Sequence, residues 1–136
     1  MSIVKNLEIK NLVTQAVTIS PVESASKLIG IFREQNIYEA FITTQEKIGM
    51  IIARDFLNVT NITTTKIGSL ITYVPRLTST SKVGEAAYIM SQYRVRALPI
   101  VQNNQLIGAI TANSIIRKIK ENISIFSKIK VKDLMT

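Results

Sequence analysis

The chain has 136 residues, 46% hydrophobic and 19% charged, with 17 Lys and Arg against 9 Asp and Glu for a net charge of +8. Its lack of Cys and His excludes disulfides, thiolate chemistry, Ser-His-Asp catalysis and most zinc chemistry. The length suits one compact domain or two small halves sharing a core, and no run of about 18 apolar residues marks a membrane-spanning helix.

The start, Met1-Ser2-Ile3-Val4-Lys5-Asn6, has no apolar signal segment, so a cytoplasmic location is expected. After the lead-in Ile9-Lys10-Asn11-Leu12-Val13-Thr14, the apolar residues Ala25, Leu28, Ile29 and Phe32 fall at i, i+3, i+4 and i+7, one stripe of an amphipathic helix. Ser20 is the expected N-cap of this helix, with Pro21 at its first position and Glu23 completing a capping box. Two short strands follow, Ala40-Phe41-Ile42-Thr43 and Ile48-Gly49-Met50-Ile51-Ile52, joined by the polar turn Thr44-Gln45-Glu46-Lys47. A second helix is expected to begin near Asp55-Phe56-Leu57, and residues 58–65 read as a linker.

The same order then repeats, which is the most informative feature of the chain. The lead-in returns as Ile67-Gly68-Ser69-Leu70-Ile71-Thr72, and the helix stripe as Val83, Ala86, Ala87 and Met90, 58 positions on. Thr78 and Ser81 offer a weaker version of the cap. The strands recur as Leu98-Pro99-Ile100-Val101 and Ile107-Gly108-Ala109-Ile110-Thr111 around the turn Gln102-Asn103-Asn104-Gln105. The second strand is offset by 59, so one extra residue is expected in the second turn, where a hairpin loop tolerates it. A closing helix is expected near Ser114-Ile115-Ile116. Each half reads as strand, helix, strand, strand, helix, and a half of this size buries too little surface to stand alone, so the halves are expected to pair. A third echo, Val131-Lys132-Asp133-Leu134-Met135-Thr136, either closes the fold with a reused lead-in or marks the chain as a piece of a longer array.

Val95-Arg96-Ala97-Leu98-Pro99-Ile100-Val101, followed by Leu106-Ile107-Gly108-Ala109-Ile110-Thr111 and the lead-in pattern Leu134-Met135-Thr136, resembles the cystathionine-beta-synthase (CBS) domain. Two tandem copies of that domain form a Bateman module. The resemblance covers roughly residues 7–117 and is clearer in the second copy; the first has Phe41 where the second has Pro99. It implies an α+β fold of two tandem βαββα repeats packed about a pseudo-twofold axis, with a first repeat at 7–60, a second at 66–120 and an extension at 121–136. It also implies a non-catalytic, regulatory role. Such modules bind AMP, ADP, ATP or S-adenosylmethionine in the clefts between copies, commonly pair into a disc-shaped homodimer, and relay the bound state to a regulated protein.

The ligand signature of the family is Thr/Ser-x-x-Asp, running from the last strand into the second helix. A hydroxyl and the free N–H groups of a helix start can hold a phosphate, and a carboxylate one turn on can accept from ribose hydroxyls. This chain splits the signature: Ile52-Ala53-Arg54-Asp55 keeps the carboxylate, and Thr111-Ala112-Asn113-Ser114 keeps the hydroxyl. By resemblance, Asp55 and Arg54 face Ser69, Val74, Val95 and Arg96 in one cleft, where the two arginines stand in for the missing hydroxyl. Thr111, Asn113 and Ser114 face Asn11, Ala16, Ile37 and Tyr38 in the other, where Tyr38 can stack on a base. The Asp55 cleft is the expected nucleotide site. Each residue also has an ordinary structural reading: Asp55 as a helix N-cap, Thr111 as a strand residue, Tyr38 as packing, and Arg94 and Arg96 as solvated strand-edge residues.

Two other functions remain open at this point. The clefts can be vestigial in a structural dimerisation module. Alternatively, the basic residues Arg117, Lys118, Lys120, Lys128, Lys130 and Lys132, set against Glu121 and Asp133, can bind nucleic acid through phosphate contacts, though no aromatic interleaving or helix-turn-helix spacing accompanies them. No paired carboxylates, phosphate-gripping Gly-rich loop or serine elbow points to an enzyme.

Overall fold

The apolar stripes form two helices of 11 residues, α1 (Ala25–Gln35) and α2 (Val83–Tyr93), in a computed structural model that describes residues 5–44 and 47–122. Ala25, Leu28 and Phe32 are buried on α1, and Val83, Ala86 and Met90 on α2, as their spacing requires. Ile29 is half-buried and Ala87 is exposed. Both helices end in the same left-handed turn. Asn36 and Arg94 sit at φ 54° and 57°, and the Ile37 and Val95 amides donate back to the Phe32 and Met90 carbonyls at 3.1 and 3.0 Å.

Both helices start later than the capping pattern predicts. Ser24, not Ser20, caps α1 and accepts from the Lys27 amide at 3.3 Å. Residues 20–23 form a turn instead, with the Glu23 amide on the Ser20 carbonyl at 3.1 Å. Residues 78–81 do the same ahead of α2, whose N-cap residue Lys82 makes no side-chain cap bond. The reason is a long-range pairing. The Ala25 amide donates to Thr65 and the Ile67 amide to Glu23; at the matching positions, Val83 donates to Leu7 and Ile9 to Ser81. Backbone held extended by a neighbouring segment cannot join the helix that follows it.

Strands β1 (Glu39–Thr43) and β2 (Ile48–Ile52) pair antiparallel, as do β3 (Ala97–Gln102) and β4 (Gln105–Thr111). The extra residue of the second half lies in the strand, not in the turn. Gln102 faces Gln105 directly, and Asn103 and Asn104, at φ 54° and 62°, make a tight two-residue turn that has no room for an insertion. The register steps from Ile100–Gly108 to Val101–Leu106, so Ile107 is bulged out of the ladder and is 46% exposed.

Segments outside the hairpins widen each sheet. The Ile19 amide donates to the Phe41 carbonyl at 3.0 Å and, at the matching positions, the Leu77 amide to the Pro99 carbonyl at 3.1 Å. The Phe41 amide returns a bond to the Val17 carbonyl at 2.8 Å, whereas Pro99 has no N–H and the Val101 amide, two residues on, bonds the Leu77 carbonyl at 2.7 Å instead. On the other side, Thr72 pairs with Met50 and Thr14 with Ala109. The lead-ins therefore cross over. Ile9 packs in a cluster drawn mainly from the second half, with Leu98, Ile100 and Ile110 beside Phe41, Met50 and Ile52 of the first, while Ile67 packs in the cluster of the first half, with Leu28, Ile42 and Ile51. A two-stranded hairpin is marginal by itself, and each one here is completed by the other half.

The closing helices differ. Residues 112–122 form a helix, α3, capped by Thr111, whose Oγ1 accepts from the Ser114 amide at 3.2 Å. The first half has only a 3-10 segment, Ala53–Asn58, with Ile52 at the cap position and no side-chain cap bond. A missing cap, followed by Asn58, Val59 and Thr60, leaves little to extend the helix. The terminal echo at 131–136, and all but the first two residues of the extension at 121–136, lie outside the described residues.

Candidate functional site

A cavity of about 300 Å³ opens where the two halves meet, at the ends of the strands remote from the hairpin turns. Four segments build it: the lead-in around Thr14 and Gln15, the stretch from Asn36 through Glu39, the start of β3 at Arg96 and Ala97, and the run from Thr111 to Asn113. This cavity is the Thr111 cleft. Thr111, Asn113, Ile37 and Tyr38 line it as the sequence predicts.

Other site residues lie elsewhere. Asn11 and Ser114 line a separate, adjoining cavity with Arg117 and Lys118. Ala16 packs against the core of the second half. Thr111 is neither a free phosphate hydroxyl nor a plain strand residue: it is the N-cap of α3, and Ser114 Oγ returns a bond to its carbonyl at 2.8 Å. Arg96, expected opposite Asp55, lines the Thr111 cavity instead, because its guanidinium stacks on the Tyr38 ring at 4.8 Å. Tyr38, 48% exposed, is therefore not a bare platform.

In the Asp55 cleft the expected groups are already engaged. Arg54 donates to the carbonyls of Arg94 and, at 2.7 Å, of Tyr93, closing the C-terminal end of α2, where a cation is favoured by the helix dipole. Asp55 Oδ2 accepts from the Thr72 hydroxyl at 3.4 Å and does not cap a helix. Ser69 Oγ donates to the Lys66 carbonyl at 2.8 Å. Val74 and Val95 are buried in the core of the second half.

Glu39 is the residue that sequence reasoning missed. It is only 9% exposed, and its Oε2 accepts from the Arg96 backbone amide at 3.1 Å, tying the two halves together at the cavity wall. Burial raises its pKa above the ordinary Glu value; the Arg96 hydrogen bond and the charges of Arg96 and Arg54 offset part of that rise. A signal was present in the sequence: Glu39 stands where the other copy has Ala97, a charge opening a strand that is otherwise apolar. Of the basic cluster, Arg117 and Lys120 are exposed on α3, Lys118 pairs with Glu121 at 3.6 Å, and Lys128, Lys130 and Lys132 fall outside the described residues. No helix among the described residues is long and apolar enough to cross a membrane.

Comparison with known proteins identifies the pattern. Residues 67–121 match the family model of the CBS domain. No curated protein matches the chain. Among solved structures it is similar to a hexameric CBS-CP12 protein from bloom-forming cyanobacteria (18% identity, TM-score 0.71, 81% of this chain and 66% of that one). It is also similar to a candidate acetoin utilization protein, AcuB, from Vibrio cholerae (16% identity, TM-score 0.74, 90% and 96%). A third is a protein from Methanocaldococcus jannaschii described as a candidate archaeal homologue of γ-AMPK (19% identity, TM-score 0.74, 85% and 48%). The chain thus spans just under two thirds of the cyanobacterial protein and about half of the archaeal one. Residues 67–121 thus match the CBS domain, and the chain as a whole has the α+β fold of these CBS-domain structures.

Proposed function

We propose that the chain is a non-catalytic regulatory module that binds an adenosine-containing ligand in the Thr111 cleft and passes its bound state to a partner protein. The observation that carries this reading is the cavity of about 300 Å³ walled by both halves, at the small end of ligand-pocket volumes. The start of α3 and the Arg96 guanidinium make one end of it attractive to a phosphate. The Glu39 carboxylate, the Asn36 and Gln15 amides and the Tyr38 ring provide hydrogen-bonding and stacking partners for a nucleoside. A ligand touching both halves favours whichever relative arrangement it fits better, and that differential affinity is the signal. A neighbour described as a homologue of γ-AMPK agrees with such a role. Pairing of two chains belongs to the same proposal.

Calorimetric titration with AMP, ADP, ATP and S-adenosylmethionine tests the reading. We expect one of them to bind with one site per chain, and Tyr38→Ala to weaken it about tenfold by removing a stacking partner. Silence with all four ligands would leave a structural module with vestigial clefts.

A further inference from the structure

We propose that a second cavity, at the hairpin end of the same strands, binds a short phosphate chain of the di- or triphosphate type. It has a volume of about 550 Å³ and lies between the two hairpins. Its walls include Thr18 with Arg76, Lys47 with Gln105, and Ile48 with Leu106. The members of each pair stand 58 positions apart, so the cavity sits on the approximate twofold axis and each half supplies the same positions. It is distinct from the Thr111 cleft: Glu39 at one end of β1 lines that cleft and Thr43 at the other lines this cavity, roughly 13 Å apart along the strand.

The chemistry of the lining selects an anion. Lys47 comes from the first half and Arg76 from the second, and no carboxylate lines the cavity among the described residues. Lys47 Nζ is 5.3 Å from the centre of the Tyr73 ring, a cation–π contact. The hydroxyls of Thr18 and Thr43 and the Asn104 amide add neutral donors. Ile48 and Leu106 are the two aliphatic residues of the lining. One guanidinium fork and one ammonium contributed by different halves suit several negative oxygens strung along one molecule better than a single carboxylate. A ligand spanning them joins the halves across the axis.

The experiment is titration of the full chain with sodium tripolyphosphate, followed by backbone amide NMR and calorimetry, with ATP run in parallel. Shifts are expected at Thr43, Thr44, Lys47, Ile48 and residues 104–106. Lys47→Gln with Arg76→Thr copies the residues found at the matching positions of the other half, Gln105 and Thr18, so the fold has already accommodated them there. This double variant should lose about tenfold or more in affinity for tripolyphosphate, as removal of charge-assisted bonds implies. Tyr38→Ala, in the other cleft, should leave that affinity unchanged, and so should Lys66→Gln with Lys120→Gln, which removes two exposed charges elsewhere. Equal weakening by the Lys66/Lys120 pair would reduce the effect to general attraction by a basic chain. Absence of binding, or binding of ATP alone with dependence on Tyr38, would overturn the site. The nucleotide reading of the Thr111 cleft stands or falls separately, on its own titration.

Discussion

In the first half, the segment after β2 forms two turns of 3-10 helix and sends Arg54 onto the carbonyls of Tyr93 and Arg94. In the second half, the segment after β4 starts a helix over 112–122, capped by Thr111, beside an open cavity. The frame carrying these two ends is shared. The hairpins, the left-handed helix ends and the crossed lead-ins match residue by residue at offsets of 58 or 59. The apolar positions that close a core are thus kept in both copies, while the few polar positions at the strand ends differ. An arginine at 54 reaches the end of α2, whereas the asparagine at the matching 113 lines the cavity.

The crossover is where this comparison can be broken most forcefully. Ile67→Ala and Ile9→Ala each empty a fully buried site, at a cost of about 2–5 kcal/mol. Ile67→Ala should speed amide exchange first in β1 and β2, and Ile9→Ala first in β3 and β4. Faster exchange confined to the half from which each isoleucine comes would contradict the crossed arrangement.

The two strand glycines sharpen it further. A Cβ on Gly108 would meet the Thr14 carbonyl oxygen at 2.7 Å, whereas one on Gly49 would meet only side chains, those of Ile71 and Tyr73. Gly108→Ala should therefore cost about 1–3 kcal/mol, and Gly49→Ala less, in urea unfolding. The opposite order would mean that the Thr14 backbone is not the obstacle at Gly108.

Arg54→Ala removes two bonds at the end of α2, where Arg94 holds a left-handed conformation. A loss of about 0.5–1 kcal/mol is expected, with Asn113→Ala, its positional counterpart, costing less. A smaller effect for Arg54→Ala than for Asn113→Ala would remove the assigned cap.

The smallest effect depends on pH. Glu39 has a raised pKa because it is buried, so it contributes most to stability when protonated, below its ordinary value of 4.5, and that contribution is lost as pH rises through the folded-state value. Glu39→Gln still offers an oxygen to the Arg96 amide. Its melting temperature relative to the native chain should therefore climb between acid and neutral pH. A flat difference across that range would show that the carboxylate is well solvated.

Much of the frame was legible because apolar periodicity depends on local geometry alone: Leu28 and Phe32, or Ala86 and Met90, must share a helix face wherever the helix goes. The helix starts were misplaced because Ser20 and Pro21 carry a good local capping pattern, yet the backbone up to Ser24 is held by residues 65–67. The extra residue was misplaced because spacing counts residues without saying where they leave the ladder; two asparagines able to take positive φ fixed the turn and left Ile107 to bulge. The cleft was half-legible. Thr111, Asn113, Ile37 and Tyr38 do converge, but the stacking of Arg96 on Tyr38 and the reach of Arg54 to α2 are contacts between halves that no local pattern records.

The amino-acid order alone determined that this protein is a duplicated α+β unit with two apolar cores, since repetition and period follow from side-chain chemistry along the chain. Only the tertiary structure decided that each core is completed by the other copy's lead-in, and which partners Arg54 and Arg96 take at the two clefts. Those outcomes depend on where long side chains and unpaired backbone groups meet across the approximate twofold axis, and that meeting is set by packing in three dimensions.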